Sequence, residues 1–226
     1  MGFGSDIGKA LMTQVPSMAP GVAVSLLRSV LSFAIDGAPN LPGARHAASK
    51  TLNRKGGDVD SSITYLVGEH VALAGAQGFV SNVGGLMTAV VGIPANISGV
   101  AIVQARMVAS IAHLRGYDLD DQRVRSAVMT CLLARSEVDQ LVSKGDLPSS
   151  PMGIATAPVS DPDLEKTVAT RILQVLIGQA AGKQVPQFIG RRIPVIGGGI
   201  AATADGVTTW NVARYAKTQF PSRRPR

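Results

Sequence analysis

The sequence predicts an all-α protein folded as a single compact multi-helix domain, residues 1–226. Apolar residues recur at helical spacing in most segments, and no segment shows the two-residue alternation worth assigning to a strand. Aromatic residues make up only 4% of the 226 residues, so small aliphatic side chains must build the core. The stretch from Val71 to Ala105 contains no charged residue. A helix this apolar is expected at the centre of the domain.

The first third of the chain predicts three helices after an irregular arm of about 20 residues. Apolar spacing covers 22–35 and ends at Asp36-Gly37, while a short basic helix over 43–54 is closed by Gly56-Gly57. Asp58 or Asp60 then caps a longer helix, which is expected to reach the glycine pair at 84–85.

The central helix is predicted over 94–115. Pro94 suits its first turn, and apolar residues cover both of its sides. Gly116 fits the position just after a helix end. Asp118 or Asp120 is expected to cap the next helix, which continues to Gly145.

The last third predicts a loop and two helices. Residues 146–158 contain three prolines and are expected to form a surface loop. Asp161-Pro162 supplies a cap and a first-turn proline for a helix that runs to Gly182. A glycine run at 197–199 opens a final helix, which Pro221 ends.

Charge is the main indication of a partner, because the chain carries a formal net charge of +7 and a pI near 10. The basic residues fall into small groups, from which we predict contact with an anionic membrane surface or lipid. The simpler alternative is that they are solvated or complement helix dipoles. Nucleic acid is not expected, since aromatic residues are not interleaved with the charges. The predicted contact residues are Arg45, Lys50, Arg54, Lys55, Arg191, Arg192, Arg214 and Lys217.

The sequence offers little that could carry out catalysis. Its histidines, His46, His70 and His113, stand far apart and lack a second ligand at metal spacing. The glycine run at 197–199 lacks dinucleotide-binding spacing, and Cys131 is the single cysteine. We therefore predict no metal, no cofactor, no disulfide and no enzymatic activity.

Two charged residues stand on otherwise apolar or small-residue helix faces. Arg106 lies on the central helix, and Asp205 lies on the last helix. An unpaired charge is costly to bury, so we predict that Arg106 and Asp205 form a structural ion pair. The alternative is that one or both reach water.

Several motifs resemble those of the EcsC family, bacterial proteins named after a product of an ABC-transporter operon. They are GFVxxxGGL from Gly78, IPAN from Ile93, VQxRM from Val103, IAxLxGYDL from Ile111 and a final set over 193–220. That final set reads IPVIGGGI, ADGVTT and AxxAKxxF. The resemblance covers residues 60–135 and 190–220. It implies a mostly helical, non-catalytic protein associated with lipid or a membrane surface, and it supplies no active site.

The leading hypothesis is therefore a helical module that binds lipid or an anionic membrane, as an accessory to a transporter or another assembly. A soluble adaptor for another protein is the alternative, and a lipid hydrolase is a remote third. We expect a cytoplasmic protein, or one attached peripherally to the inner face of the membrane. Spanning is not expected, because Pro94, glycines and Arg106 interrupt the uncharged region. The oligomeric state is left open.

Overall fold

The computed structural model describes residues 20–38, 41–75, 95–180 and 204–224. Within these ranges the chain is all-α, as predicted, with one pair of two-residue antiparallel strands. The elements are α1 (Pro20–Asp36), β1 (Gly37–Ala38), β2 (Leu41–Pro42), α2 (Ala44–Arg54), α3 (Val59–Gly75), α4 (Ala95–Leu114), α5 (Gln122–Cys131), α6 (Arg135–Ser143), α7 (Pro151–Thr156), α8 (Pro162–Ala180) and α9 (Ala204–Gln219).

Helix α4 is the centre of the fold, which confirms the prediction drawn from its apolar sequence. Six helices touch it: α1, α2, α3, α9, α5 and α8. Each of these also contacts the next in that order, and α8 returns to α1, so the six form a closed ring. Every residue from Gly99 to Ala112 is buried as a result. The short helix α7 lies against α5, outside the ring.

The short β1–β2 pair determines how α2 enters the ring. It folds the chain back directly after α1, so that Gly43, the residue preceding α2, lies against the end of α1. Helix α2 then begins without a side-chain cap. Its inner face is formed by Ala44, Ala47, Ala48 and Thr51. Small residues here allow α2 to approach α4 closely.

Three of the predicted helix boundaries are confirmed by their capping contacts. The Asp58 carboxylate accepts the backbone N–H of Ser61 at the start of α3. Gly116 follows α4 with a φ of 86°, a conformation that glycine adopts without strain. Asp161 accepts the backbone N–H of Asp163 in the first turn of α8.

Other predictions were wrong between residues 118 and 158. Asp121, not Asp118 or Asp120, caps α5, because the Asp118 carboxylate accepts the N–H of Asp120 within the linker. The helix expected to reach Gly145 breaks instead at Ala134, which has a φ of 64°. Neither glycine nor proline marks this break in the sequence.

The predicted surface loop 146–158 also contains a helix. Ser150 caps α7, and Pro151 occupies its first turn and is buried together with Ile154 and Ala155. The prolines and serines that suggested a loop therefore also supply a helix start. Of the expected N-terminal arm, only Pro20 lies in the described residues, where it begins α1.

A buried carboxylate joins two helices of the ring. Glu165 of α8 has a side chain only 8% exposed, and the guanidinium of Arg28 in α1 grips both of its oxygens, at 2.8 and 2.7 Å. A two-point contact of this kind combines charge attraction with a fixed geometry.

Replacing Arg28 by alanine should destabilise the fold by about 1–2 kcal/mol. The cost arises because the buried carboxylate loses its partner, although solvent around the 66% exposed arginine moderates the effect. Arg28→Lys should recover only part of the lost stability, because lysine restores the positive charge but its ammonium cannot make the two-point contact. Urea unfolding measures both variants. Lys166→Ala, which breaks the exposed pair with Asp163, is the control and should change stability by less than about 0.5 kcal/mol.

None of the helices in the described ranges is long and apolar enough to cross a membrane. Much of the uncharged region, residues 76–94, lies outside those ranges.

Candidate functional site: a cationic cluster and a buried arginine

Three exposed cations gather at the turn between α2 and α3. Lys50, Arg54 and Lys55 are exposed, and none takes part in a salt bridge among the described residues. Together with Tyr65 of α3 we call them the cationic cluster. Asp60 also lies near this turn, but its carboxylate is bound by Arg115 at 2.9 Å. The positive charge of the cluster is therefore not neutralised by a direct ion pair.

A glycine turn brings the cluster together. Gly56 and Gly57 have φ angles of 63° and 87°, and they fold the end of α2 back onto the start of α3. As a result the charged groups of Arg54 and Lys55 each lie 5.2 Å from the centre of the Tyr65 ring. Arg54 also donates a hydrogen bond of 2.9 Å to the Tyr65 hydroxyl. Tyr65 as a whole residue remains 40% exposed.

A second group of cations lies on α9, which contacts α3 on the side away from α2. Arg214 and Lys217 are exposed and share a helix face with Trp210. The Arg214 guanidinium lies 4.8 Å from the centre of the tryptophan ring. The other predicted pair, Arg191 and Arg192, lies outside the described residues.

Arg45 differs from the other predicted contact residues in the described ranges because its side chain forms a salt bridge within the protein. Its guanidinium binds both carboxylate oxygens of Asp120, at 2.9 and 2.6 Å. This hydrogen bonding lowers the pKa of Asp120 and keeps its carboxylate charged. Arg45 therefore links α2 to the α4–α5 connection.

The structure does not join Arg106 to Asp205. The salt bridges of the described residues do not include this pair. Asp205 lies at the surface in the first turn of α9, and partial burial of its carboxyl raises its pKa. Arg106 is only 4% exposed, and its Nε finds no hydrogen-bond acceptor. The nearby charge that acts on it is Glu69 of α3.

A second buried polar side chain, His70 of α3, lies within range of the Arg106 charge. Its Nδ1 is 2.7 Å from the carbonyl oxygen of Leu66, which can only accept, so Nδ1 carries the proton. Nε2 is then a bare acceptor, and it has no partner. Burial first, and then the charge of Arg106, lower the pKa of His70 to about 4.

The described residues hold no cluster of three or more potential metal ligands. His46 is exposed, His113 is half-buried, and each is separate from His70. Cys131 is fully buried, and burial raises the pKa of its thiol. A thiol in that state is a poor nucleophile.

A cavity of about 170 Å³ lies between α5, α7 and the start of α8. Its one basic residue, Arg123, is held by the Asp121 carboxylate and by the Ala157 carbonyl oxygen. The serines that line it have no histidine among the lining residues to act as a base. The geometry of this cavity therefore does not suggest a reaction.

Reasoning from sequence missed Tyr65 and Trp210, and it considered His70 only as a candidate metal ligand. The sequence does not interleave aromatic residues with the basic groups, yet the fold brings Tyr65 and Trp210 each into contact with a cation. The Trp210–Arg214 contact could have been found, because four residues separate them on one helix. The contacts of Tyr65 and the isolation of His70 depend on how α3 is packed.

Comparison with known protein families, with curated proteins and with solved structures finds no match. The resemblance to the EcsC family therefore stays a prediction.

Proposed function

We propose that the protein is a non-catalytic helical binding module that attaches to an anionic membrane surface through the cationic cluster. The observation that carries this proposal is a set of exposed cations without a salt-bridge partner among the described residues, Lys50, Arg54 and Lys55. Arg54 and Lys55 lie over the partly exposed ring of Tyr65, and Lys50 lies one helical turn before Arg54.

Physical chemistry favours a membrane surface as the partner of such a cluster. Each lysine or arginine close to an anionic bilayer contributes about 1 kcal/mol of attraction. Tyrosine and tryptophan prefer the level of the lipid head groups, where the ring is shielded and the polar end stays hydrated. Trp210, Arg214 and Lys217 offer the same combination on α9, the helix beyond α3.

The proposed location follows from this mode of binding. The inner leaflet of the bacterial membrane exposes anionic lipid to the cytoplasm, so a cytoplasmic protein with this surface would attach peripherally. The EcsC resemblance favours the same location. Arg45 is not part of the proposed contact, because Asp120 already holds its guanidinium.

Neutralising the cluster should abolish most of the binding. We expect the triple variant Lys50→Gln, Arg54→Gln, Lys55→Gln to bind phosphatidylglycerol vesicles on the order of 100-fold more weakly than wild type at low salt, from about 1 kcal/mol per charge. Binding of the wild type should itself fall steeply as salt is raised. Cosedimentation with phosphatidylglycerol–phosphatidylcholine vesicles measures both effects.

A matched control separates the cluster from net charge. Arg135→Gln, Lys144→Gln, Lys166→Gln also removes three exposed cations, but from α6, the end of α6 and α8. This variant should keep most of the vesicle binding. An equal loss in both triples, or equal binding of wild type to neutral vesicles, would rule out the proposed surface. A stable stoichiometric protein partner without vesicle binding would favour the adaptor alternative.

A further inference from the structure

Arg106 is the one charged side chain that the described residues bury without a carboxylate in salt-bridge distance. It is 4% exposed, whereas the other buried charge, Glu165, is held by Arg28. Its neighbours on the same face of α4 are buried and mostly apolar, namely Ile102, Val103 and Ala109, and the hydroxyl of Ser110 donates to the carbonyl oxygen of Ala44. Its Nε–H group donates to no acceptor.

A guanidinium in this position is stabilised by a negative charge nearby. Arginine does not give up its proton in proteins, so burial cannot be relieved by neutralisation. Glu69 is the acid whose charge reaches Arg106, but its side chain is exposed and makes no salt bridge with it. The described residues thus leave this buried charge without a direct counter-charge.

The rest of the chain offers almost no substitute. The sequence contains 15 acidic residues, and all but Asp6 lie in the described ranges. The stretches that follow α3 and α8 in the chain, 76–94 and 181–203, contain neither aspartate nor glutamate. Outside the described ranges, Asp6 is therefore the one acidic side chain in the sequence, and within them Glu69 is the acid whose charge acts on Arg106.

We propose that Arg106 binds an oxyanion, a carboxylate or a phosphate, at the interface of α3 and α4. The guanidinium supplies the charge and an unused N–H donor, which suit an oxyanion. His70 of α3, the helix packed against this part of the fold, has a bare Nε2 acceptor suited to an O–H group of the ligand or of a water beside it. This site is separate from the cationic cluster and does not rest on the membrane proposal.

The oxyanion can be a free ion or the head of an apolar molecule, and three probes distinguish these sources. Inorganic phosphate, oleate and a palmitoyl lysophosphatidic acid are each titrated into the purified protein. Binding is followed by calorimetry and by the fluorescence of the single tryptophan, Trp210. Native mass spectrometry reveals any anion that is already bound. A response to phosphate indicates a free oxyanion, and a response only to the other two indicates an amphiphile.

Three variants test the residue assignment. Arg106→Met should abolish anion binding. Arg106→Lys keeps the positive charge and serves as the test if Arg106→Met does not fold; it should weaken anion binding at least about 10-fold. Glu69→Gln should bind at least as tightly as wild type, because it removes a nearby negative charge from an exposed position. Arg106→Lys should still sediment with anionic vesicles, which keeps this test independent of the membrane proposal.

Several results would overturn the site. Equal affinity of wild type and both Arg106 variants for every probe would place the anion elsewhere. If native mass spectrometry finds no bound anion and none of the three probes binds, Arg106 is not an anion-binding residue. If Glu69→Gln or Asp6→Asn destabilised the protein as much as Arg106→Met, that acid would be the counter-charge instead.

Discussion

Replacing Gly43 by alanine is expected to destabilise the protein by on the order of 3 kcal/mol. The residue precedes α2 with a φ of −65°, a conformation that alanine adopts easily, so the effect is purely steric. An added Cβ would overlap the backbone at the end of α1, meeting the carbonyl oxygen of Ile35 and lying 2.6 Å from the carbonyl carbon of Asp36. Backbone atoms cannot rotate aside as a side chain can. The change should therefore separate α2 from α1 or deform the β1–β2 pair.

Gly68→Ala provides the matched control for this variant. Gly68 lies within α3, and a Cβ there would meet nothing within 4 Å. Because alanine is the better helix former, this change should raise stability by about 0.5–1 kcal/mol. Urea denaturation with a shared m value measures both variants. If Gly43→Ala were as stable as wild type, Gly43 could not lie as close to the end of α1 as the structure places it.

Acidification should cost about 3 kcal/mol of stability through His70 alone, between pH 7 and pH 4. In the folded protein the pKa of this histidine is about 4, below its ordinary value of 6.5. Above pH 6.5 the side chain is neutral in both states and the free energy of unfolding is unaffected. Between pH 6.5 and 4 the unfolded chain takes up the proton and the folded one does not. Stability therefore falls as the pH falls through this window.

His70→Gln should flatten that part of the pH dependence, since glutamine can donate to the Leu66 carbonyl oxygen but does not titrate. His46→Gln changes an exposed histidine and is the control, which should follow the wild type. Urea unfolding at half-unit intervals from pH 7 to 4 gives the slopes. Identical slopes for wild type and His70→Gln would mean that His70 is not the group responsible.

Sequence periodicity predicted most of the fold because burial repeats along each long helix. The central position of α4 follows from residues 95–114, which are apolar on nearly every side. The wrong secondary-structure predictions lie where local backbone geometry determines whether a helix begins or ends. Ala134 has a φ of 64° with an extended ψ of 163°, a combination that alanine disfavours, and α7 is too short to show a period. Neither feature leaves a regular pattern in the sequence.

The candidate sites were less predictable, because they depend on contacts between distant segments. Lys50, Arg54 and Lys55 were identified by charge, yet only the turn at Gly56 and Gly57 brings Tyr65 to them. Arg106 was recognised as exceptional, but the partner assigned to it was wrong. Composition indicates that a buried charge needs a counter-charge, and it does not indicate which one the fold supplies.

The ring of helices around α4 also constrains the order in which the protein can fold. Three of its members precede α4 in the chain and three follow it, and α9 comes last. The hydrogen bond from Gln104 to Thr209 joins residues 105 positions apart, so the loop it closes is long. During synthesis at roughly 5–20 residues per second, α4 is complete several seconds before α9 has been made. For that interval the apolar side of α4 between α3 and α5 lacks its cover, and exposed apolar surface of this kind favours aggregation of the nascent chain.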